Sequence, residues 1–254
     1  MKLSIVIPVH EESEAIGPTV ESLDRTLTRA SIPHEIVVVD DHSSDGTVAV
    51  LESLARRIPS LRWLPNDGPG GYGYAVRAGL DAYTGDAVCI VMADASDDPD
   101  DVVAYHRKLE EGYECVFGSR FIAGSEVTNY PWPKLALNRA ANFAIRLLFA
   151  SRFNDWTNAF KCFRREVIDG TRPILSCHFN LTVELPLKAA VRGYSYAVIP
   201  IRWRGRSSGV SKFRIKEMGS RYVFVVMYVL LEKWLARGDY SRARPEPHLR
   251  QGLH

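Results

Sequence analysis

The stretch from Val88 to Pro99, Val-Cys-Ile-Val-Met-Ala-Asp-Ala-Ser-Asp-Asp-Pro, constrains this chain more than any other. Its apolar first half, Val88 to Met92, reads as a strand buried on both faces, the kind found in parallel sheets. It then ends abruptly in acid, with Asp94, Asp97, Asp98, Asp100 and Asp101 within eight residues. Carboxylates held so close repel one another unless water or a cation lies between them. In an open α/β sheet, ligands gather outside the carboxyl ends of the strands. Asp94 and Asp97, which the strand aims at that edge, are therefore candidate ligands for Mg²⁺ or Mn²⁺, shared with substrate phosphates. Asp98-Pro99 reads instead as the start of a helix, and Asp100 and Asp101 as acids in its first turn.

Two more strand ends carry comparable chemistry. Lys2 to Val9 is an apolar strand ending near Pro8, followed by His10, Glu11 and Glu12. Glu35 to Asp41 is a second strand that ends in the pair Asp40-Asp41, followed by turn residues with Thr47 as a candidate helix N-cap. Helical spacing lies between them at Ile16, Val20, Leu23 and Leu27. A short strand at 61–64, a Gly-rich loop at 66–73 and a helix at 74–84 follow. This β-α-β-α-β-α-β order predicts an α/β fold, a mostly parallel sheet flanked by helices on both faces. One cleft would then collect the acids of three strands. Further on, the pattern predicts a helix at 100–111, a strand at 115–120 and a helix at 134–149. A loop and strand span 155–163, a helix 178–191, a strand 196–201 and a long apolar helix 215–235.

The loop Gly68-Pro-Gly-Gly-Tyr-Gly73 formally matches G-x-G-x-x-G, which opens the alternative of a nicotinamide or flavin oxidoreductase. Two features oppose it. Asn66-Asp67 separates strand from loop, and Pro69 stiffens what should be a tight phosphate turn. A dinucleotide's ribose also uses only one carboxylate and its pyrophosphate repels the rest, whereas here acid ends three strands.

A chain of 254 residues can bury a sizeable core in one domain. The expected domain is 1–236, with a nucleotide-sugar-binding half at 1–125, an acceptor and interfacial half at 126–236, and a disordered tail at 237–254. The formal net charge of +2 decides little, although 202–221 is locally basic with seven Lys/Arg and one Glu, and nucleic acid is not an expected partner. The four cysteines, at 89, 115, 162 and 177, lack metal or disulfide spacing and read as free thiols of a reducing, cytoplasmic compartment. His10, His34, His42 and His178 show no metal-like spacing either. The N-terminus does not read as a signal peptide, and the longest apolar run, Tyr222 to Leu231, is far short of the ~20 residues that span a bilayer. The helices 134–149 and 215–235 can instead lie in the plane of an anionic membrane surface, or pack on each other or across a homo-oligomer.

These positions are also those of a known family. Ile7-Pro-Val-His-Glu-Glu12 resembles the V-I-P-x-x-N-E opening of glycosyltransferase family 2, with Glu11 in place of the usual Asn. Val37-Val-Val-Asp-Asp-His-Ser-Ser-Asp-Gly-Thr47 looks like its V-V-D-D-x-S-x-D-G-T, and Gly73 to Gly79 resembles the helix before its metal motif. Gly118-Ser-Arg120, Asp155 to Arg164 and Arg206-Ser-Ser-Gly-Val-Ser-Lys212 are similar to later signatures of the polyprenyl-phosphate sugar synthases. The family's D-x-D is replaced by Asp94-x-x-Asp97-Asp98. The resemblance implies a GT-A fold and an inverting, metal-dependent transfer of a hexose from a UDP- or GDP-sugar to a polyprenyl phosphate. It implies that Pro8, Val9, Glu12, Asp40, Asp41, Arg77, Asp94 and Arg120 bind the nucleotide sugar, and that Asp94 and Asp97 hold the metal. Asp155, Arg206 and Lys212 would serve catalysis. A hydroxyl acceptor would need a general base, for which Asp155 or Glu184 stands, whereas a phosphate acceptor is already an anion. The alternatives are transfer to a hydroxyl of a glycan and a non-catalytic nucleotide-binding protein.

Overall fold

The structure is a computed structural model that describes residues 1–205, 215–236 and 238–242, with the backbone alone for 215–218. Strand β1 (Leu3–Val9) is buried along its whole length, because a β-branched run without alternation can only sit inside a sheet covered on both sides. The chain then runs through α1 (Ile16–Arg29), β2 (His34–Asp40), α2 (Thr47–Ala55), β3 (Leu61–Pro65), α3 (Tyr72–Ala82) and β4 (Ala87–Ile90). Next come α4 (Pro99–Glu110), β5 (Cys115–Ser119), β6 (Glu126–Thr128) and α5 (Trp132–Phe149). The last elements are β7 (Lys161–Arg164), α6 (Arg165–Gly170), α7 (Leu181–Val191), β8 (Tyr196–Pro200), β9 (Arg202–Arg204) and α8 (Ile215–Leu235).

Seven strands form one sheet in the order β3-β2-β1-β4-β7-β5-β8, all parallel except β7. In β1, Leu3, Ile5 and Ile7 face one core with Ile16, Val20, Leu23 and Leu27 of α1. Val6 turns to the other face, where it meets Val76 and Leu80 of α3 within a cluster that α5, α7 and α8 complete. The helix start expected at Asp98-Pro99 is present: the Asp98 carboxylate accepts the Asp100 N–H at 2.9 Å, and Pro99 occupies the first turn.

Several local expectations are corrected. Thr47 is the first residue of α2 rather than its N-cap; its hydroxyl bonds Asp45 and receives the Glu12 N–H at 3.0 Å. Helix α3 begins at Tyr72, not Tyr74. The strands β6 and β9 form a separate two-stranded ribbon that period-2 patterning is too short to reveal. Of the tail, 238–242 pack back on the body: the Arg242 N–H donates to the Arg192 carbonyl at 2.9 Å, and the Tyr240 ring covers the Arg192 guanidinium.

Pro186 inside α7 has a visible accommodation. A proline there cannot donate to the Thr182 carbonyl four residues earlier. The Lys161 ammonium does so instead, at 3.1 Å, and also donates to the carbonyls of Trp156 at 3.0 Å and of Asn158. Burial pushes Lys161 down to about 7, with Asp155 acting in the opposite direction.

Candidate active site

Parallel strands deliver their carboxyl ends to one edge, and there the acids of β1, β2 and β4 meet. Asp41, just past β2, accepts a hydrogen bond on each oxygen. Its Oδ1 accepts the Asn66 amide at 2.7 Å and its Oδ2 the Gly71 N–H at 2.8 Å, so it organises the Gly-rich loop. Gly73 is required there by space: a Cβ would strike the backbone of Cys177 and His178. Asp40 differs. Its Oδ2 accepts the Ser43 N–H at 3.3 Å, while its buried Oδ1 has no hydrogen-bond partner among the described residues. A buried carboxylate oxygen left unpaired marks a site that a ligand donor can complete.

Pro8 and Val9 end β1 as buried residues beside Asp40, and the Asp41 N–H donates to the Val9 carbonyl at 2.7 Å. Glu12 is half-buried at the start of the turn into α1. Glu11 adopts φ 54°, the left-handed region where asparagine is far better tolerated. Arg77 of α3 is half-buried, 3.9 Å from the Cys177 sulfur and over the Tyr74 ring.

The acidic turn divides as its positions predict. Asp98 caps α4, Asp100 pairs with Arg29 at 3.1 Å, and Asp101 accepts the Arg202 N–H at 2.7 Å. Asp94 and Asp97 remain. Asp94 accepts the Ser96 N–H at 3.1 Å, next to Ala95 at φ 56°. Asp97 is 7% exposed, accepts the Met92 N–H at 3.0 Å and bridges Trp203 of β9 through the backbone. Burial first, then the charge of Asp94, raises its carboxyl to about 7, against the Met92 hydrogen bond. Among the described residues no cluster of three or more His, Cys, Asp or Glu could hold a metal alone. A pair of mutually repelling carboxylates fits a hard divalent ion that completes its shell with phosphate oxygens and water.

Near Asp97, on whose carboxyl its charge acts, lies a second feature. Arg120, just after β5, is 9% exposed and locked to the fully buried Asp155: Nε to Oδ2 at 2.8 Å and Nη2 to Oδ1 at 2.7 Å, with the Arg120 N–H on Oδ2 at 3.0 Å. Burial opposes the guanidinium charge, but Asp155 outweighs it and raises the Arg120 pKa. The rings of Phe121, Tyr130 and Trp203 surround Arg120, each centroid 5.4–5.5 Å away. Arg120 borders a cavity of about 810 Å³ whose other walls include Phe121, Val127, Tyr130, Pro131, Leu135 and Arg139. Arg139 lies over the Phe121 ring at 4.6 Å. The aromatic cage and Arg139 escaped sequence reasoning, because three separate segments supply them. Glu184, the other candidate base, is fully buried; it accepts the N–H groups of Leu175 and Ser176 and pairs with Lys188 at 2.6 Å. Arg206 and Lys212 lie outside the described residues. β9 ends at Arg204, whose N–H donates to the Ser96 carbonyl at 3.0 Å, and the Gly205 N–H donates to the Thr128 carbonyl at 2.8 Å.

A largely parallel sheet flanked by helices, with carboxylates gathered at its strand tips, is the architecture of the GT-A type glycosyltransferases. The chain belongs to glycosyl transferase family 2, whose model matches residues 4–171. It is 30% identical over 246 residues to the polyprenol monophosphomannose synthase of Mycolicibacterium smegmatis, covering 94% of this chain and 89% of that protein. It is 26% identical over 247 residues to the dolichol-phosphate mannosyltransferase of Pyrococcus furiosus, covering 95% of this chain and 66% of that one. In fold it is similar to glucosyl-3-phosphoglycerate synthase from Mycobacterium tuberculosis, solved with Mn²⁺, UDP-glucose and phosphoglyceric acid. The TM-score is 0.68 at 18% identity, over 91% of this chain and 79% of that one.

Proposed function

We propose that this glycosyltransferase moves a hexose, with inversion, from a UDP- or GDP-sugar to a polyprenyl phosphate such as dolichyl or undecaprenyl phosphate. It would work as a peripheral enzyme on the cytoplasmic face of a membrane, consistent with its free cysteines. One observation carries the choice of acceptor. The two carboxylates expected as bases toward a hydroxyl, Asp155 and Glu184, are 0% exposed and already paired to a cation. A hydroxyl acceptor needs a base at the attacking oxygen, whereas a phosphate monoester arrives as an anion and needs positioning and charge balance. The Arg120 cavity supplies both, with two guanidiniums at hand and the apolar Val127, Pro131 and Leu135 to receive the start of an isoprenoid chain.

In this reading the unpaired Asp40 Oδ1 accepts a hydrogen bond from the base or ribose, with Pro8, Val9, Glu12 and Arg77 around the nucleotide and Asp41 holding the Gly-rich loop. Asp94 and Asp97 would hold Mg²⁺ or Mn²⁺, which stabilises the charge building on the leaving diphosphate. Arg120, oriented by Asp155, and Arg139 fix the acceptor phosphate so that its oxygen attacks the anomeric carbon opposite the diphosphate. Arg206 and Lys212 would add positive charge to the diphosphate or acceptor side. Asp155 acts through Arg120 as a positioning residue.

The test is nucleoside diphosphate release across a panel of sugar nucleotides, with and without polyprenyl phosphate. Release that depends on the lipid phosphate, on Mn²⁺ or Mg²⁺, and on Asp94 and Asp97 is the expected result. Full activity of both alanine variants in chelator would remove the metal assignment, and equal release with a simple glycan acceptor would remove the lipid phosphate.

A further inference from the structure

The loop 154–158, between α5 and β7, directs its polar side chains at the walls of the Arg120 cavity. Ser119 donates to the Asn154 Oδ1 at 2.6 Å, and the Asn154 amide donates to the Phe121 carbonyl at 3.0 Å. Asp155 grips Arg120 between these contacts. The Asn158 amide donates to the Gly118 carbonyl at 3.1 Å. One loop thus holds 118–121 along its length. Thr157 is tied to α5 instead: its hydroxyl accepts the amides of Asn138 at 2.6 Å and Asn142 at 3.0 Å. Arg139 stands next to Asn138 and walls the same cavity as Arg120. The Arg139 and Arg120 guanidiniums lie 4.6 and 5.4 Å from the centre of the Phe121 ring. The loop therefore joins the mounts of both cavity arginines.

The loop is in turn held by a buried cation. Lys161 opens β7, the antiparallel strand between β4 and β5, and is 1% exposed. Its ammonium donates to the Trp156 carbonyl at 3.0 Å and to that of Asn158, just after Asp155. The third bond goes to the Thr182 carbonyl of α7 at 3.1 Å, the group that Pro186 leaves without an N–H. Three carbonyls match the three donors of an ammonium. Burying a lysine is costly, and two readings account for it differently. If Lys161 only repairs the helix, an N–H at position 186 can replace it. If it positions the loop, the bonds to Trp156 and Asn158 matter, and nothing at position 186 can supply those.

We propose that Lys161 is a positioning residue: by clamping the carbonyls of Trp156 and Asn158 it fixes the loop 154–158, and through that loop the spacing of Arg120 and Arg139 as one anion site. That the anion is the acceptor phosphate rests on the acceptor reading above. Guanidiniums bind phosphate through directional, short hydrogen bonds, so a small displacement of either mount weakens the site.

The test compares Lys161→Met, Lys161→Met/Pro186→Ala and Thr157→Val with wild type. Steady-state kinetics use the UDP- or GDP-hexose that the enzyme accepts and a short, water-soluble prenyl phosphate, alongside urea unfolding. Lys161→Met should raise the KM for the prenyl phosphate at least about tenfold and leave the KM for the sugar nucleotide unchanged. It should also lower the unfolding midpoint, because three buried carbonyls lose their donor. Adding Pro186→Ala returns an N–H to Thr182, so the midpoint recovers in part while the acceptor KM stays raised. Should Lys161→Met not fold, the double variant carries the comparison. Thr157→Val keeps the side-chain shape, releases Asn138 and should raise the same KM. Without substrates, the Arg120 Nε–H, held by Asp155 at 2.8 Å, should exchange slowly with water by NMR in wild type and faster in both Lys161 variants. The proposal is overturned by an acceptor KM that does not change, that rises equally with the donor KM, or that recovers with the midpoint in the double variant. An Arg120 Nε–H indifferent to Lys161 overturns it too. A wild type that uses no prenyl phosphate would instead remove the acceptor reading, and the Nε–H exchange would still decide whether Lys161 positions Arg120.

Discussion

Exchanging Asp155 for leucine leaves a guanidinium stranded in the protein interior, and the size of the penalty follows from the geometry. The Asp155 side chain is 0% exposed and that of Arg120 is 7% exposed, and three N–H groups of Arg120 converge on the two carboxylate oxygens. Removing one partner of a buried pair typically costs about 3–5 kcal/mol, because the remaining charge has no water to return to. Asp155→Leu and Arg120→Met should each cost that much. The double variant removes both charges and needs no such compensation. It does leave the Arg120 backbone N–H without its acceptor, which costs about 1–3 kcal/mol. The double variant should therefore be more stable than either single one. The assay is urea unfolding with unchanged m-values, read as a double-mutant cycle. All three should lose turnover with polyprenyl phosphate. Additive penalties in the double variant would refute the reasoning. So would an Asp155→Leu chain of full stability that lost only kcat, since that is the behaviour of a free catalytic base.

Three further outcomes are expected. Asp97 titrates near 3.8 unfolded and about 7 folded, so the folded chain holds the extra proton between these values and stability falls as pH rises through that window. Asp97→Asn should thus be about 4 kcal/mol more stable than wild type above pH 7 without metal, while losing turnover and the stabilisation that Mn²⁺ confers; thermal melts with and without Mn²⁺ read both. At the opposite end of the sheet, burial alone would raise the Glu35 carboxyl, but hydrogen bonds from Ser4, Thr84 and Arg62 bring it from 4.5 to about 2. Its contribution, about 2 kcal/mol over Glu35→Gln after discounting for solvent, is complete above pH 4.5 and disappears as pH falls through 2; denaturation of both chains across that range is the check, and a pH-independent difference would contradict it. Glu11→Asn should stabilise the chain by about 1 kcal/mol by relieving the left-handed backbone at φ 54°, and an equal or lower unfolding midpoint would count against that account.

Much of the architecture was legible because it rests on periodicity. The spacing of Ile16, Val20, Leu23 and Leu27 puts one face of α1 in the core in any fold that keeps the helix, and the unbroken Ile5-Val-Ile7 run demands a sheet covered on both sides. The division of the acidic turn was legible for the same local reason, since Asp98-Pro99 is helix-start chemistry wherever it occurs. The antiparallel insertion of β7 was not, because strand direction depends on where the chain returns from.

The sequence by itself settled that three strands end in acid and that the motifs of a sugar-nucleotide transferase stand in order along the chain. Which acids remain available was decided only in three dimensions. Asp40 and Asp41 are adjacent and chemically identical, yet Asn66 and Gly71 donate to Asp41 while the Asp40 Oδ1 has no partner among the described residues. Asp155 reads as a base in one dimension and is the counter-ion of Arg120 in three. The sequence left the apolar residues of α5 open between packing and an outward face, and three dimensions divide them: Ile145 and Phe149 are buried while Trp132, Leu137, Phe143, Leu147 and Leu148 are exposed. Residue type fixes what a group can donate, accept or bury; whether it is free to do so depends on its neighbours, and most of those neighbours arrive from distant parts of the chain.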